Sequence, residues 1–207
     1  MNKICLSLLL SLTAISMWAQ SAMGIVESVA KLLRSNSVKI SFVATTFNGS
    51  KESGSTNGTL QYQGNRFKVN TNDFTIWFDG KNQWTLLNGS DEVNLSQPSN
   101  EDVQRINPYS FINIYKNGYQ ATMRSITYNQ QNCTELTLQA TQSNLFYQRI
   151  YLIVDNKNTL LNVRTKDLKG NWMRFRINSI QQTKIHSNSV FTFNKSQYPN
   201  VEVIDLR

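Results

Sequence analysis

Five dipeptides divide this chain: Asn48-Gly49, Asn57-Gly58, Asp79-Gly80, Asn88-Gly89 and Asn117-Gly118. Asparagine, aspartate and glycine tolerate the positive φ that a tight reversal demands, so each pair marks a place where the chain can turn back on itself. Between such points the apolar residues alternate. Val38, Ile40, Phe42 and Ala44 point one way while Lys39, Ser41 and Thr45 point the other, the period of a strand with one wet face. The runs Tyr119 to Tyr128, Cys133 to Ala140, Tyr147 to Val154, Leu160 to Lys166 and Trp172 to Gln182 continue it, with Asp155 to Asn158 and Lys169-Gly170-Asn171 as turns. An antiparallel meander of about ten strands is the economical topology, and a sheet that long curls or closes.

Helical spacing interrupts the strands twice. Ile25, Val26, Val29, Ala30, Leu32 and Leu33 recur at three and four, which predicts a helix from about Ser21 to Arg34. Between Gln97 and Tyr115, Ser99 can cap a first turn with Asp102 three residues on, and Asn107 can cap a second with Pro108 at its first helical position. The second turn carries Phe111, Ile112, Ile114 and Tyr115, more apolar surface than it needs to cover its own backbone, so it is expected to close an apolar space as a lid. The predicted fold is mainly β with α: a single open, unclosed antiparallel β-barrel with an N-terminal helix and short helices over its concave side.

The first residues read as an export signal, with Lys3 as the positive charge, Leu6 to Ile15 as the apolar stretch and Met17-Trp18-Ala19 as a site ending in a small residue. Residues 1–19 are therefore expected to be removed before Gln20, leaving a periplasmic protein with residues 20–207 as one domain, since no repeat, low-complexity tract or linker divides them. Cys5 leaves with the signal. Cys133 then has no partner for an internal disulfide, and a structural residue at the start of a strand is the simpler reading of it than a reactive thiol.

The chemistry-bearing motifs are missing. One histidine, His186, in a polar stretch, leaves most zinc sites and histidine-based acid/base schemes without ligands or proton carriers. No P-loop, G-x-G-x-x-G, H-E-x-x-H or G-x-S-x-G occurs, and Glu101 with Asp102 suits a helix start better than a glycosidase cleft. No enzyme activity, metal or cofactor is expected. Lys plus Arg is 21 against 13 for Asp plus Glu, but the basic residues form no block and the signal leads away from nucleic acid, so nucleic acid is not an expected partner. A late excess does occur at Arg164, Lys166, Lys169, Arg174, Arg176 and Lys184. Alternation puts Trp172, Arg174 and Arg176 on one face and Met173, Phe175 and Ile177 on the other. Arg174 and Arg176 belong either to a solvated outer face or to a docking surface for an acidic partner or anionic lipid.

The stretch Gly58-Thr59-Leu60, Phe67-Lys68-Val69 and Asp79-Gly80-Lys81-Asn82-Gln83-Trp84 resembles the periplasmic lipoprotein carrier family, the LolA-like proteins, in which a G-x-L strand precedes a D-G-x-x-x-W hairpin. The ending is similar too: Val154-Asp155, Gly170-Asn171, Phe191-Thr192-Phe193 and Pro199-Asn200-Val201-Glu202-Val203-Ile204-Asp205 follow its closing pattern. The resemblance implies an open β-barrel lidded by helices that carries the acylated amino terminus of lipoproteins across the periplasm, from an inner-membrane lipoprotein-releasing ABC transporter to an outer-membrane acceptor or membrane surface, acting as a monomer. The alternative of the same fold is a periplasmic lipid-binding or envelope-stress sensor domain. The chain departs from the family where many members carry an Arg-Pro pair that helps to hold the lid; here Gly64-Asn65 precedes Arg66. Taken with strand alternation, the resemblance implies an acyl-binding cavity lined by Phe42, Leu60, Phe67, Val69, Ile76, Phe78, Trp84, Leu86, Leu138, Leu152, Met173 and Phe175, under a lid contributing Phe111, Ile112, Ile114 and Tyr115. Alternation fixes facing within a strand, not between strands.

Overall fold

Helical spacing governs the start of the chain as the computed structural model describes it, over residues 22–34, 37–107, 111–183 and 187–207. The expected signal, its cleavage point before Gln20, Pro108, Lys184 and His186 lie outside those residues. Helix α1 (22–34) buries Ala22, Val26, Val29, Ala30 and Leu33 as one stripe. Leu32, expected on that stripe, is 38% exposed, because about 100° per residue carries it past the edge that Val29 sets.

Period-two sequence then takes over. Strands β1 (Ser37–Asn48), β2 (Lys51–Gln63), β3 (Arg66–Thr71), β4 (Phe74–Phe78), β5 (Gln83–Leu87) and β6 (Glu92–Ser96) form a first meander. Helices α2 (Asn100–Ile106) and α3 (Phe111–Ile114) lead to a second: β7 (Tyr119–Tyr128), β8 (Gln131–Ala140), β9 (Tyr147–Val154), β10 (Leu160–Asp167) and β11 (Trp172–Thr183). Two 3₁₀ turns, Asn188–Phe191 and Lys195–Gln197, precede β12 (Glu202–Asp205). All twelve strands join one sheet in the order β12-β6-β5-β4-β3-β2-β1-β11-β10-β9-β8-β7, with β7 and β12 as free edges, so the barrel is open. The meanders meet where β1 pairs antiparallel with β11.

Two local features differ from expectation. Asn57-Gly58 is no turn; it lies inside β2, opposite Phe42 of β1. A Cβ on Gly58 would stand 2.5 Å from Phe42 Cζ, so the glycine clears room for an aromatic ring on the neighbouring strand. The other four pairs stand at reversals or bends with their glycines at positive φ. Strand β12 pairs with β6 in parallel rather than antiparallel, because the chain returns to the far edge through a long connection instead of a hairpin. In α2, Ser99 Oγ accepts from the Asp102 amide and Asp102 Oδ2 accepts from the Ser99 amide, a capping box. Asn107 ends that helix, its N–H bonded to the Val103 carbonyl.

Apolar packing forms on both sides of the sheet. The larger cluster lies under α1 and α3 and draws on nearly every long strand, from Ile40 and Leu60 to Leu136 and Ile150. On the opposite face, Trp77, Leu86, Val93 and Val201 are buried, with Trp84, Phe193 and Tyr198 packed against them. The C-terminal segment thus covers the sheet where the helices do not. Arg66 belongs to that cover: it hydrogen-bonds Asn188 and stands 5.1 Å from the centre of the fully buried Phe191 ring. Lys68, half-buried 5.1 Å from the Trp77 ring centre, has its pKa lowered by desolvation.

Candidate functional site

The register across three strands leaves a hollow. Phe42, Ala44 and Thr46 of β1 face Gly58, Thr56 and Gly54 of β2 on one side, and Ile177, Phe175 and Met173 of β11 on the other. Side chains at cross-strand positions share a face, so a row of glycine, threonine and alanine beside two phenylalanines leaves volume that larger residues would fill. The result is a cavity of about 430 Å³, lined by Phe42, Ala44, Thr46, Gly54, Thr56, Met173 and Phe175 together with Ser55, Val69, Thr71, Asp73 and Phe74. That is ample for a small ligand. The rings of Phe42 and Phe175 meet edge-to-face at 5.8 Å and 70°. Thr56 Oγ1 in the wall is shut from solvent without a hydrogen-bond partner.

A second cavity of about 360 Å³ adjoins it, lined by Thr46, Phe47, Phe146, Tyr147, Thr165, Asp167, Asn171, Trp172 and Met173. Thr46 and Met173, cross-strand partners, belong to both. The two hollows are therefore compartments divided by one pair of side chains at the rim where β1 ends and β11 begins.

The helices close the other side of the core. Arg34 of α1 donates from Nη1 to the Ile112 carbonyl at 3.2 Å and from Nη2 to Tyr115 Oη and Glu27 Oε1, each at 3.1 Å. Tyr115 donates its phenol proton to Glu27, and Lys116 stands 3.2 Å from Glu27 Oε2. The Tyr115 hydroxyl, then Lys116, hold the Glu27 carboxyl below its ordinary range, while burial raises the Tyr115 phenol. Arg34 therefore pins α3 to α1. At the edge of the core, burial pushes the Tyr119 phenol up to about 12, although it donates to the Tyr147 carbonyl at 2.9 Å.

Of the residues expected at the cavity, Phe42, Val69, Met173 and Phe175 line it. Leu60, Phe67, Ile76, Phe78, Ile112, Tyr115, Leu138 and Leu152 are buried in the main cluster, and Ile114 packs against it. The Phe111 side chain is outside the described residues. Trp84 and Leu86 lie on the opposite face, in the smaller cluster. The reason is register: Trp84 pairs with Trp77 and Leu86 with Thr75, whereas Ile76 and Phe78 pair with Val69 and Phe67 on the helix side. Alternation along β5 alone could not choose between the faces. Ala44, Thr46, Gly54, Thr56 and Phe74 line the cavity without having been expected there. The strand spacing that contains Phe42 extends to Ala44, but small and polar residues carry no hydrophobic signal. Arg174 lies on the face away from the helices, 2.6 Å from Glu52 and 5.1 Å from the Phe47 ring centre, and Arg176 is exposed beside it.

Residues 13–169 match the family described as outer membrane lipoprotein carrier protein LolA. The match ends before the Phe191-Thr192-Phe193 and Pro199 to Asp205 motifs. No curated protein matches the chain. Among solved structures, an uncharacterized conserved protein from Thermus thermophilus is similar over 90% of this chain and 98% of its own, at 10% identity and a TM-score of 0.53. That likeness is one of fold. A LolA superfamily protein from Nitrosomonas europaea is 14% identical, with 84% of this chain and 97% of its own covered and a TM-score of 0.42. LprF from Mycobacterium bovis is 10% identical, with 82% and 97% covered and a TM-score of 0.46.

Proposed function

We propose, from the premise that the chain belongs to the outer membrane lipoprotein carrier protein LolA family, that it is an exported, non-enzymatic carrier. It takes the acyl chains of lipoproteins into the cavity across β1, β2 and β11 and moves them through the periplasm. The donor in this reading is an inner-membrane lipoprotein-releasing ABC transporter, and the destination is an outer-membrane acceptor or the membrane surface. Residues 1–19 are the signal and 20–207 the carrier domain.

The observation that carries the reading is the apolar cavity at the β1–β11 junction, with Phe42, Val69, Phe74, Met173 and Phe175 in its walls. Each methylene left in water costs about 0.8 kcal/mol, so a chain of roughly sixteen carbons left bare would cost on the order of 12 kcal/mol. Transfer from a bilayer into such a cavity exchanges one apolar medium for another. It needs no catalytic group, and the energy for extraction falls to the transporter.

Filling the cavity tests this. Ala44→Phe places a ring in the middle of the hollow and is expected to weaken a fluorescent acyl probe at least tenfold, about 1.4 kcal/mol. Its urea midpoint should stay near wild type, because the added ring occupies space that is already empty. Unchanged probe affinity in a folded Ala44→Phe protein would sink the cavity as the acyl site. Pull-down from envelope extracts followed by mass spectrometry tests the cargo: many acylated proteins support a carrier, whereas a single non-acylated partner favours a sensor.

A further inference from the structure

The sheet face turned away from the helices carries a concentration of positive charge that a single ion pair, Arg174–Glu52, only partly balances. Across β9, β10 and β11 the register aligns Arg149, Lys166 and Trp172 in one row, and Tyr151, Arg164 and Arg174 in the next. Asn162 and Arg176 start a third. Adjacent strands lie about 4.8 Å apart and alternate residues about 6.7 Å apart, so five cations share a patch roughly 10 by 13 Å. Glu52 neutralises Arg174. Among the described residues, no carboxylate lies in ion-pair range of Arg149, Arg164, Lys166 or Arg176.

Aromatic rings hold Arg164, Lys166 and Arg174 in place. The Arg164 guanidinium stands 4.2 Å from the centre of the Trp172 ring and 5.7 Å from that of Phe47, and Lys166 Nζ is 5.7 Å from Trp172. Trp172 in turn stacks on Tyr151 at 5.9 Å. Like charges on neighbouring strands repel, so folding alone would favour a mixed set here. A guanidinium stacked on a ring keeps its in-plane donors for bidentate phosphate contacts.

The patch also runs into the cavity mouth. Phe47 and Trp172 line the rim compartment, which shares Thr46 and Met173 with the main cavity. We propose that this face docks on an anionic phospholipid bilayer, its lysines and arginines meeting lipid phosphates and its Trp172 and Tyr151 at the interfacial level where such rings concentrate. Docked this way, the rim faces the lipid. The choice of a bilayer over an acidic protein rests on the carrier reading, because the apolar chain that enters the rim starts or ends in a membrane.

The test is vesicle flotation of the intact protein, with phosphatidylcholine vesicles made with and without phosphatidylglycerol, at low and high ionic strength. Wild type should bind the phosphatidylglycerol vesicles at low salt and release at high salt. The double variant Lys166→Glu, Arg176→Glu should bind about tenfold more weakly or worse. Lys31→Glu, Lys81→Glu makes the same change in net charge at exposed positions elsewhere and should lose no more than about threefold. Unfolding midpoints check that both variants fold, and the wild-type salt dependence stands if the patch variant does not. Equal losses in the two variants, equal binding to pure phosphatidylcholine, or no binding to either vesicle would overturn the proposal. Patch-dependent binding to polyglutamate without vesicle binding would also overturn it, in favour of an acidic protein. The assay contains no acyl probe, so a failed cavity and a failed docking face give separate results.

Discussion

Each face of the sheet buries an apolar cluster, and the two clusters use that property in opposite ways. Strand β4 shows it best, because Ile76 and Phe78 are buried toward the helices while Trp77 is buried on the other side. There, three aromatic rings close on one another: Trp77 meets Phe193 at 5.6 Å and Tyr198 at 5.7 Å, and Phe193 stacks on Tyr198 at 5.3 Å. On the helix side, the two rings of Phe42 and Phe175 stand among Ala44, Thr46, Gly54 and Thr56, and a hollow remains. Hydrophobicity is thus common to the sealed region and the open one. Side-chain size separates them.

The sharpest way to break this comparison is to empty the sealed face. Trp77→Ala should cost about 3–5 kcal/mol in denaturant unfolding, as large-to-small core changes do, while any protein that remains folded keeps its acyl-probe affinity. A strong loss of affinity at a permissive denaturant concentration would show that the faces are not independent. Gly58→Ala acts at the open face and is smaller. The new Cβ must displace the Phe42 ring, so about 1–3 kcal/mol of stability should go, together with probe affinity. A lowered midpoint with unchanged affinity would take Phe42 out of the acyl path.

Tyr119 reports how dry the helix-covered core is. Its folded pKa is raised above the unfolded value of about 10, so its contribution is fully present below pH 10 and is lost as pH rises toward 12. Unfolding curves across that window should show the loss, and Tyr119→Phe should remove that part of the slope at a cost of about 1 kcal/mol at neutral pH. The smallest stability effect belongs to Glu27. Its folded pKa is depressed, so its contribution is present above the ordinary 4.5 and is lost as pH falls through the lowered value. Glu27→Gln should abolish that acid-side change and speed acyl-probe exchange, measured by stopped flow, if the Arg34 contacts restrain α3 as a cover. Unchanged exchange would make α3 fixed core.

The pattern of residues reveals much of this architecture. Alternation and turn residues locate β7 to β11 within a few residues of their ends, and Ser99 with Asp102 announces α2. The failures share a cause. Trp84 and Leu86 fall on the face opposite to the expected one because facing between strands depends on register, which is a property of pairs. Asn57-Gly58 reads as a reversal because a glycine that makes room for a neighbour's ring is indistinguishable, along one strand, from a glycine that turns. The parallel β12 follows from a route through space. The cavity itself is defined by side chains too small to fill it, and Gly54, Thr56 and Ala44 stand out only beside Phe42 and Phe175.

The junction between β1 and β11 also sets an order of events. Thr45 and Arg174, which face each other there, are 129 residues apart in the chain. Each meander can form from hairpins between neighbours, but this junction has to wait until its two halves have found one another, and closing so long a loop is the slow kind of step in folding. The hollow straddles the same junction, with Phe42 and Ala44 on one bank and Met173 and Phe175 on the other. It therefore comes into existence only with that long-range pairing, and a partly folded chain, whatever its hairpins, lacks the hollow.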